Sequence, residues 1–479
     1  MTVWDLSYDS YQPEEEKLRE ALCTLGNGVF ATRGAAPESR SGEFHYPGTY
    51  VAGLYNRLTT RVEGRDVENE DLVNVPNWLP LTFRMEGGEP FDIDQVDIHQ
   101  FRQELDLRRG VLTRLVEFED APGRRTRLLE RRLVSMDNPR LAALEATVTP
   151  LGWSGEITFE TGLDGRVIND GVERYRRFAS RHFDIVEQGH DDAESFSMVV
   201  ETNQSHVRVA EAARMRAYRD GTPLAPDRTK LDEDGYVGQT LTVHTDSEQP
   251  VRVEKIVGLV TSRHPAISTP GLAARQEVQR AGEFEDLLRA HVLAWDHLWR
   301  RCELQVDSSP RATTILNVHI FHLLQTASPH SCDFDVGVPA RGWHGEAYRG
   351  HIFWDELFVL PFLNYRIPEL ARALLMYRYR RLPEARWAAR VEGYAGAMYP
   401  WQSGSDGREE SQVVHLNPRS GRWIPDNSSL QRHVGAAIAC NVWRYYQATG
   451  DLDFLANNGA EMLVEIARFW ASIASYDHA

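Results

Sequence analysis

Val251-Arg-Val-Glu-Lys-Ile-Val-Gly-Leu-Val260 closes a series of alternating segments, and a different texture begins shortly after it, near residue 270. Upstream lie Thr240-Leu-Thr-Val-His244, His206-Val-Arg-Val-Ala210 and Ser197-Met-Val-Val-Glu-Thr202. Before them come Glu156-Ile-Thr-Phe-Glu-Thr161, closed by Gly162 and Gly165, and Leu141-Ala-Ala-Leu-Glu-Ala-Thr-Val148, followed by Pro150 and Gly152. Apolar and polar residues alternating with period two, punctuated by turn residues, mark half-buried strands, and many in series predict a large β-sandwich. The one early helix candidate is Pro13 to Leu25, ended by Gly26 and Gly28.

Downstream of residue 270 the period becomes helical. Ala273 to Arg289 and Val292 to Arg301 read as a polar helix pair linking two domains. Apolar residues at helical spacing then predict helices over Thr314–Ala327, Phe353–Leu363, Glu369–Arg380, Glu384–Val391, Asn427–Ala448 and Ala460–Ala474, as in an all-α domain. The reading is a multidomain β + α chain: a β-sandwich over 1–268, a helical linker over 269–309 and a helical domain over 310–479. The loops 328–352 and 393–426 are long and rich in Gly, Pro and Trp, and loops of that length inside a compact domain are usually functional or disordered. Ile466, Phe469, Trp470 and Ile473 on the last helix call for a partner surface, which suggests a fragment of a longer protein.

Composition narrows the function classes. The 479 residues carry 53 Lys+Arg against 70 Asp+Glu, a net charge of −17. That balance argues against nucleic acid and anionic membrane as partners, because both require basic surface. The four cysteines, Cys23, Cys302, Cys332 and Cys440, show no metal-ligand spacing and read as reduced thiols of a cytoplasmic protein. The N-terminus has no signal-peptide pattern, and no apolar run reaches the length of a membrane span. No HExxH, GxSxG or GxxxxGK[ST] motif occurs, so no metal or cofactor is expected. The 12 Trp, 17 Tyr and 18 Phe either fill cores or offer flat faces to sugar C–H groups.

The chemistry concentrates in Gly342-Trp-His-Gly-Glu-Ala-Tyr-Arg-Gly-His-Ile-Phe-Trp-Asp-Glu356, inside which a helix begins. Asp355 and Glu356 fall in its first turn, where the helix dipole alone favours a carboxylate. A Trp beside an Asp at a helix start also offers a stacking face and a bidentate acceptor for two sugar hydroxyls. A second segment, Gly393 to Ser411, holds Trp401 and Gln402 with Asp406, Glu409 and Glu410; it reads equally as a solvated turn. A third runs from His415 to Arg432 and His433, entering a helix with Ser428 or Ser429 as candidate N-cap.

These motifs resemble glycoside hydrolase family 65, the family of maltose, trehalose and kojibiose phosphorylases and acid trehalases. Leu25-Gly-Asn-Gly28 with Thr32-Arg-Gly34, Tyr46 to Gly53 and Leu72 to Trp78 carry the likeness early; Arg349-Gly-His-Ile-Phe-Trp-Asp355 is the most specific match. Leu374 to Tyr379, Tyr399 to Ser403 and Ala467 to Ser472 extend it. The resemblance implies an N-terminal β-supersandwich, a helical linker and the first part of an (α/α)6 catalytic barrel, truncated here. It places Trp354 and Asp355 in the subsite for the non-reducing glucose, with Arg349, His351, Trp401 and Gln402 nearby. The loop from Glu409 and Glu410 to His433 falls where the family shapes its acceptor-sugar subsite. It implies an inverting cleavage of α-glucosidic disaccharides of the maltose, trehalose or kojibiose type, with inorganic phosphate as co-substrate in a phosphorylase and a homodimer by family analogy. An inverting hydrolase and a non-catalytic carbohydrate-binding fragment remain as alternatives. The family's Gly-Pro-Asp-Glu motif with its general acid is absent from the sequence, and its place is expected beyond Ala479; no catalytic residue is therefore assigned, Asp355 and Glu410 included.

Overall fold

The computed structural model describes residues 3–62, 64–307, 309–417 and 419–475. The chain divides into two compact units. The first comprises Met1–Thr49, Asn74–Val167 and Phe183–Gln325; the second comprises Tyr50–Val73, Ile168–His182 and Thr326–Ala479.

The first unit is built on two antiparallel sheets, as the alternation predicts. The 10-stranded sheet carries Leu141–Leu151 paired with Val251–Thr261, and that strand in turn pairs with Arg208–Arg219. The 4-stranded sheet runs through Asp227–Glu233, Tyr236–Thr245, Gly155–Asp164 and Leu81–Met85. The two sheets pack on one another. Phe118 of the long sheet meets Phe83 of the short one, and the buried Lys255 ammonium donates to the Pro80 and Gly162 carbonyls.

The segment expected to be a linker, 269–309, is instead an outer layer of this unit. Pro270–Arg280 buries Ala274 and Val278 against Val199, Ala210 and Val260. Phe284–Cys302 buries Phe284, Leu287 and Leu288 against Val111, Leu133 and Ile256. The predicted Ala273–Arg289 helix is broken at 281–283 by a reciprocal capping box between Glu283 and Asp286, which satisfies the new helix's exposed N–H groups. The helix Pro310–Thr326 also joins this unit, Phe321 stacking on Trp295 at 4.7 Å.

The second unit is helix-rich: Glu356–Arg366, Pro368–Arg380, Leu382–Val391, Val434–Thr449 and Ala460–Ile473. It also holds two segments from the first 268 residues, including the paired strands Thr49–Val62 and Arg65–Asn74, so the units do not follow the expected cuts at 268 and 309. The helix expected from Asn427 begins only at Val434, since Asp426 captures the Ser428 N–H and hydroxyl in a local turn. On the last helix Ile466 and Phe469 find partners within the unit, Phe469 packing on Ala389 and Met398, while Trp470 remains 38% exposed.

Candidate functional site

Two loops of the second unit are tied together before any ligand is considered. Ile352 and Ser403 exchange backbone hydrogen bonds of 2.9 and 3.0 Å, a single β-bridge between the segment 342–356 and the segment 393–411. The buried Tyr377 hydroxyl fixes the second loop, donating to the Gly404 carbonyl at 2.6 Å with Ser403 Oγ 2.7 Å away. Glu409 staples it further: its carboxylate accepts the backbone N–H of Trp401, Gln402 and Ser411.

The first loop turns sharply on the way to its helix. Tyr348, Arg349 and Gly350 are all left-handed, with φ of 55°, 58° and 67°. Two anchors hold this turn. The buried Arg349 guanidinium pairs with Asp71, and the Tyr55 hydroxyl donates to the Gly350 carbonyl at 2.6 Å. Arg349 also lies 4.2 Å over the Tyr175 ring. His351 is fully buried beside Tyr55, with Nδ1 3.2 Å from Gln402 Oε1; burial holds its imidazole below the usual histidine range.

Beyond this turn the chain releases Trp354 and Asp355, both half-buried, at the start of Glu356–Arg366. Asp355 is the N-cap residue, yet its side chain caps nothing and accepts no hydrogen bond from any described residue. Glu356 behaves oppositely: it is buried, pairs with Arg378 at 2.9 Å and lies 3.3 Å from the Val338 N–H. The dipole-stabilised structural role considered for both acids thus belongs to Glu356, while Asp355 keeps its acceptor capacity.

Around Trp354 an array of rings forms. His433, at the entry to Val434–Thr449, stands perpendicular to Trp354 at 5.0 Å and lies 5.2 Å from Trp401. Trp401 meets Phe353 edge-on at 5.4 Å, and Phe353 meets Tyr348 at 5.4 Å. Two partly exposed indoles bridged by one imidazole, beside an uncommitted carboxylate, can hold a flat, hydroxyl-bearing ring.

The expected site residues therefore divide. Trp354, Asp355, Trp401 and His433 come together with exposed surface, and Gln402 adjoins them. Arg349, His351, Glu409 and Glu410 hold the scaffold instead. Glu410 is 9% exposed and bidentate to Arg57, with bonds of 2.8 and 2.7 Å. Arg57 also pairs with Glu70, whose carboxyl burial and the nearby Glu410 charge push up to about 7. Arg57, Glu70 and Asp71 are supporting residues that sequence reasoning missed. They lie some three hundred positions upstream on the Thr49–Val62 and Arg65–Asn74 strands, where no spacing pattern links them to the loops.

Similarity to other proteins identifies the family. Residues 6–298 match the glycosyl hydrolase family 65 N-terminal domain, and residues 317–479 match that family's central catalytic domain. An uncharacterized glycosyl hydrolase of Mycobacterium tuberculosis (strain H37Rv) is 48% identical over 99% of the chain and 36% of its own length. A kojibiose phosphorylase of Caldanaerobacter subterraneus subsp. tengcongensis is 33% identical over 99% of the chain and 60% of its own length. The solved structure “Putative kojibiose phosphorylase from human microbiome” superposes with a TM-score of 0.85 at 22% identity, covering 99% of this chain and 60% of that one; at that identity it speaks for the fold. A strand-rich unit followed by a helix-rich unit is the arrangement that the two matched domains and the solved structure share with this chain. The chain belongs to glycosyl hydrolase family 65. It spans about a third to three fifths of the length of these relatives.

Proposed function

We propose that this protein acts on α-glucosidic disaccharides of the maltose, trehalose or kojibiose type, cleaving them with inversion by phosphorolysis, its helices forming part of an (α/α)6 barrel. The observation that carries this reading is Asp355: a half-buried carboxylate accepting no hydrogen bond from any described residue, next to Trp354. A pyranose stacked on the indole would present two vicinal hydroxyls to it. Trp401 and His433 would bound the ring laterally, and Gln402 would offer an amide.

Inversion requires an acid on the glycosidic oxygen and a nucleophile on the opposite face of the sugar. Phosphate is anionic and nucleophilic at neutral pH, so a phosphorylase needs no second carboxylate as base. That suits a site in which Glu356, Glu409 and Glu410 are all engaged in holding structure. No residue of the chain is assigned as the acid. The likeness to a kojibiose phosphorylase favours phosphorolysis over hydrolysis.

The test is incubation of the protein in a form extended past Ala479, where the general acid is expected, with maltose, trehalose and kojibiose, with and without inorganic phosphate, following the first-formed anomer by proton NMR. Phosphate-dependent release of β-glucose 1-phosphate is expected. Turnover in phosphate-free buffer would mean a hydrolase, binding without turnover a carbohydrate-binding protein, and an initial α-anomer would rule out inversion.

A further inference from the structure

We infer that Glu70 is a positioning residue for the sugar site: its protonated carboxyl holds the loop 393–411, and with it Trp401 and Gln402, in the arrangement that receives the sugar, and loss of the proton releases that loop. The effect on affinity rests on the proposed sugar reading; the effect on the loop does not.

Glu70 lies on the strand Arg65–Asn74 and is buried. Its carboxyl accepts the Ser405 N–H at 2.9 Å and the Ser405 hydroxyl. It abuts Gly404 so closely that a Cβ there would collide with it. The loop then turns back on the site. The Glu410 N–H donates to the Gln402 carbonyl at 3.0 Å, and the Gln402 side chain meets His351. Glu70 therefore grips the loop midway between the residues that face the sugar and the residue that closes the loop onto them.

The charges at this grip do not balance. Arg57, on the strand Thr49–Val62, lies 2.7 Å from Glu410, 3.2 Å from Glu70, 3.3 Å from Glu68 and 3.8 Å from Asp406. Glu68 and Asp406 are exposed and also face Arg408, at 3.7 and 2.8 Å. Glu70 and Glu410 are buried and share Arg57. The other ionisable groups packed on the loop offer no further counter-charge. Arg381 donates to the Ser405 carbonyl and pairs with Asp335, and Arg349 pairs with Asp71. Burial keeps His351 below the usual histidine range and pushes the Tyr377 hydroxyl up to about 12.

Two buried carboxylates on one guanidinium cannot both ionise cheaply. Glu410 makes the bidentate pair, so the proton falls to Glu70, whose carboxyl is raised to about 7 by burial and then by the Glu410 charge. In a released loop Glu70 would be solvated and return to its ordinary value of 4.5. The held arrangement thus binds the extra proton. It is fully favoured below the ordinary value and loses that advantage as pH rises through about 7.

The test is tryptophan emission of the unliganded protein, and calorimetric titration with kojibiose, trehalose and maltose, each at about pH 6 and about pH 8. Emission of the unmodified protein should change with a midpoint near 7. The change should vanish in Glu70→Gln, which keeps the neutral form, and in Trp401→Phe, which removes the reporter. Affinity for a disaccharide that binds should fall at least about fivefold from the lower to the higher pH, and less than about twofold in Glu70→Gln. A merely structural Glu70 would leave the affinity of the folded protein the same at both values. Flat emission in the unmodified protein, or a change that persists in either variant, would overturn this inference alone. So would disaccharide affinity that is equal at the two values, or that falls equally in Glu70→Gln. Failure of every disaccharide to bind at either pH would overturn the effect on affinity together with the sugar reading.

Discussion

Asp355 and Arg349 stand six residues apart and predict opposite phenotypes. The Asp355 side chain accepts no hydrogen bond from any described residue, so Asp355→Asn should leave urea unfolding within about 0.5 kcal/mol of the parent. Its effect should appear in sugar affinity. Arg349 is 2% exposed and neutralises Asp71; Arg349→Ala strands a buried carboxylate and should cost about 3–5 kcal/mol in the same experiment. An Arg349→Ala protein of normal stability with weakened sugar binding would return that residue to the substrate. Glu70 gives a pH signature. Its carboxyl is raised by burial and by Glu410 from 4.5 to about 7, so the folded state binds the extra proton between those values. Stability is therefore fully present below the unfolded value and falls as pH rises toward 7, by on the order of 1–3 kcal/mol. Glu70→Gln should flatten that slope in unfolding measured from pH 4.5 to 7.5. These roles were only half legible. Adjacency of Trp354 to Asp355 is visible in the sequence, but whether an acid is engaged depends on partners such as Asp71, which folding alone brings to Arg349.

Among the elements, the left-handed turn at 348–350 decides where Trp354 and Asp355 emerge. Gly350 has φ 67°, and a Cβ there would meet the Leu72 side chain at 2.5 Å. Gly350→Ala therefore combines backbone strain with a clash and should lower stability by about 1–3 kcal/mol. It should also shift tryptophan emission, as Trp354 is displaced; thermal melts and fluorescence check both. Most elements could be read from period alone. The strands Leu141–Leu151 and Val251–Thr261 and the helices Pro368–Arg380 and Ala460–Ile473 lie close to their expected bounds, because each buries one face and so imprints alternation or helical spacing. Elements set by local hydrogen bonding leave no such period. The capping box at Glu283 split one expected helix, the Asp426 turn delayed another, and the hairpin Val414–Asn417 with Arg422–Pro425 has too few residues to show a period.

At the scale of the whole molecule, the second unit is assembled from three separate stretches of chain, and this discontinuity is invisible to any reading that moves along the sequence. Its consequence is testable. A fragment of residues 310–479 lacks Arg57, Glu70 and Asp71, leaving Glu410 and Arg349 without their buried partners. It should fail to melt cooperatively by circular dichroism and should bind a hydrophobic dye; a sharp, cooperative transition would show that the upstream strands are dispensable. The function proposed for the family member turns on one grip, an indole and an uncommitted carboxylate holding a glucose ring. Its most direct test is calorimetric titration of kojibiose, trehalose and maltose into the unmodified protein and into Asp355→Asn, with unfolding monitored in parallel. Saturable binding of at least one disaccharide is expected, weakening tenfold or more (about 1.4 kcal/mol) in the variant at unchanged stability. Equal affinity in the two proteins would contradict it.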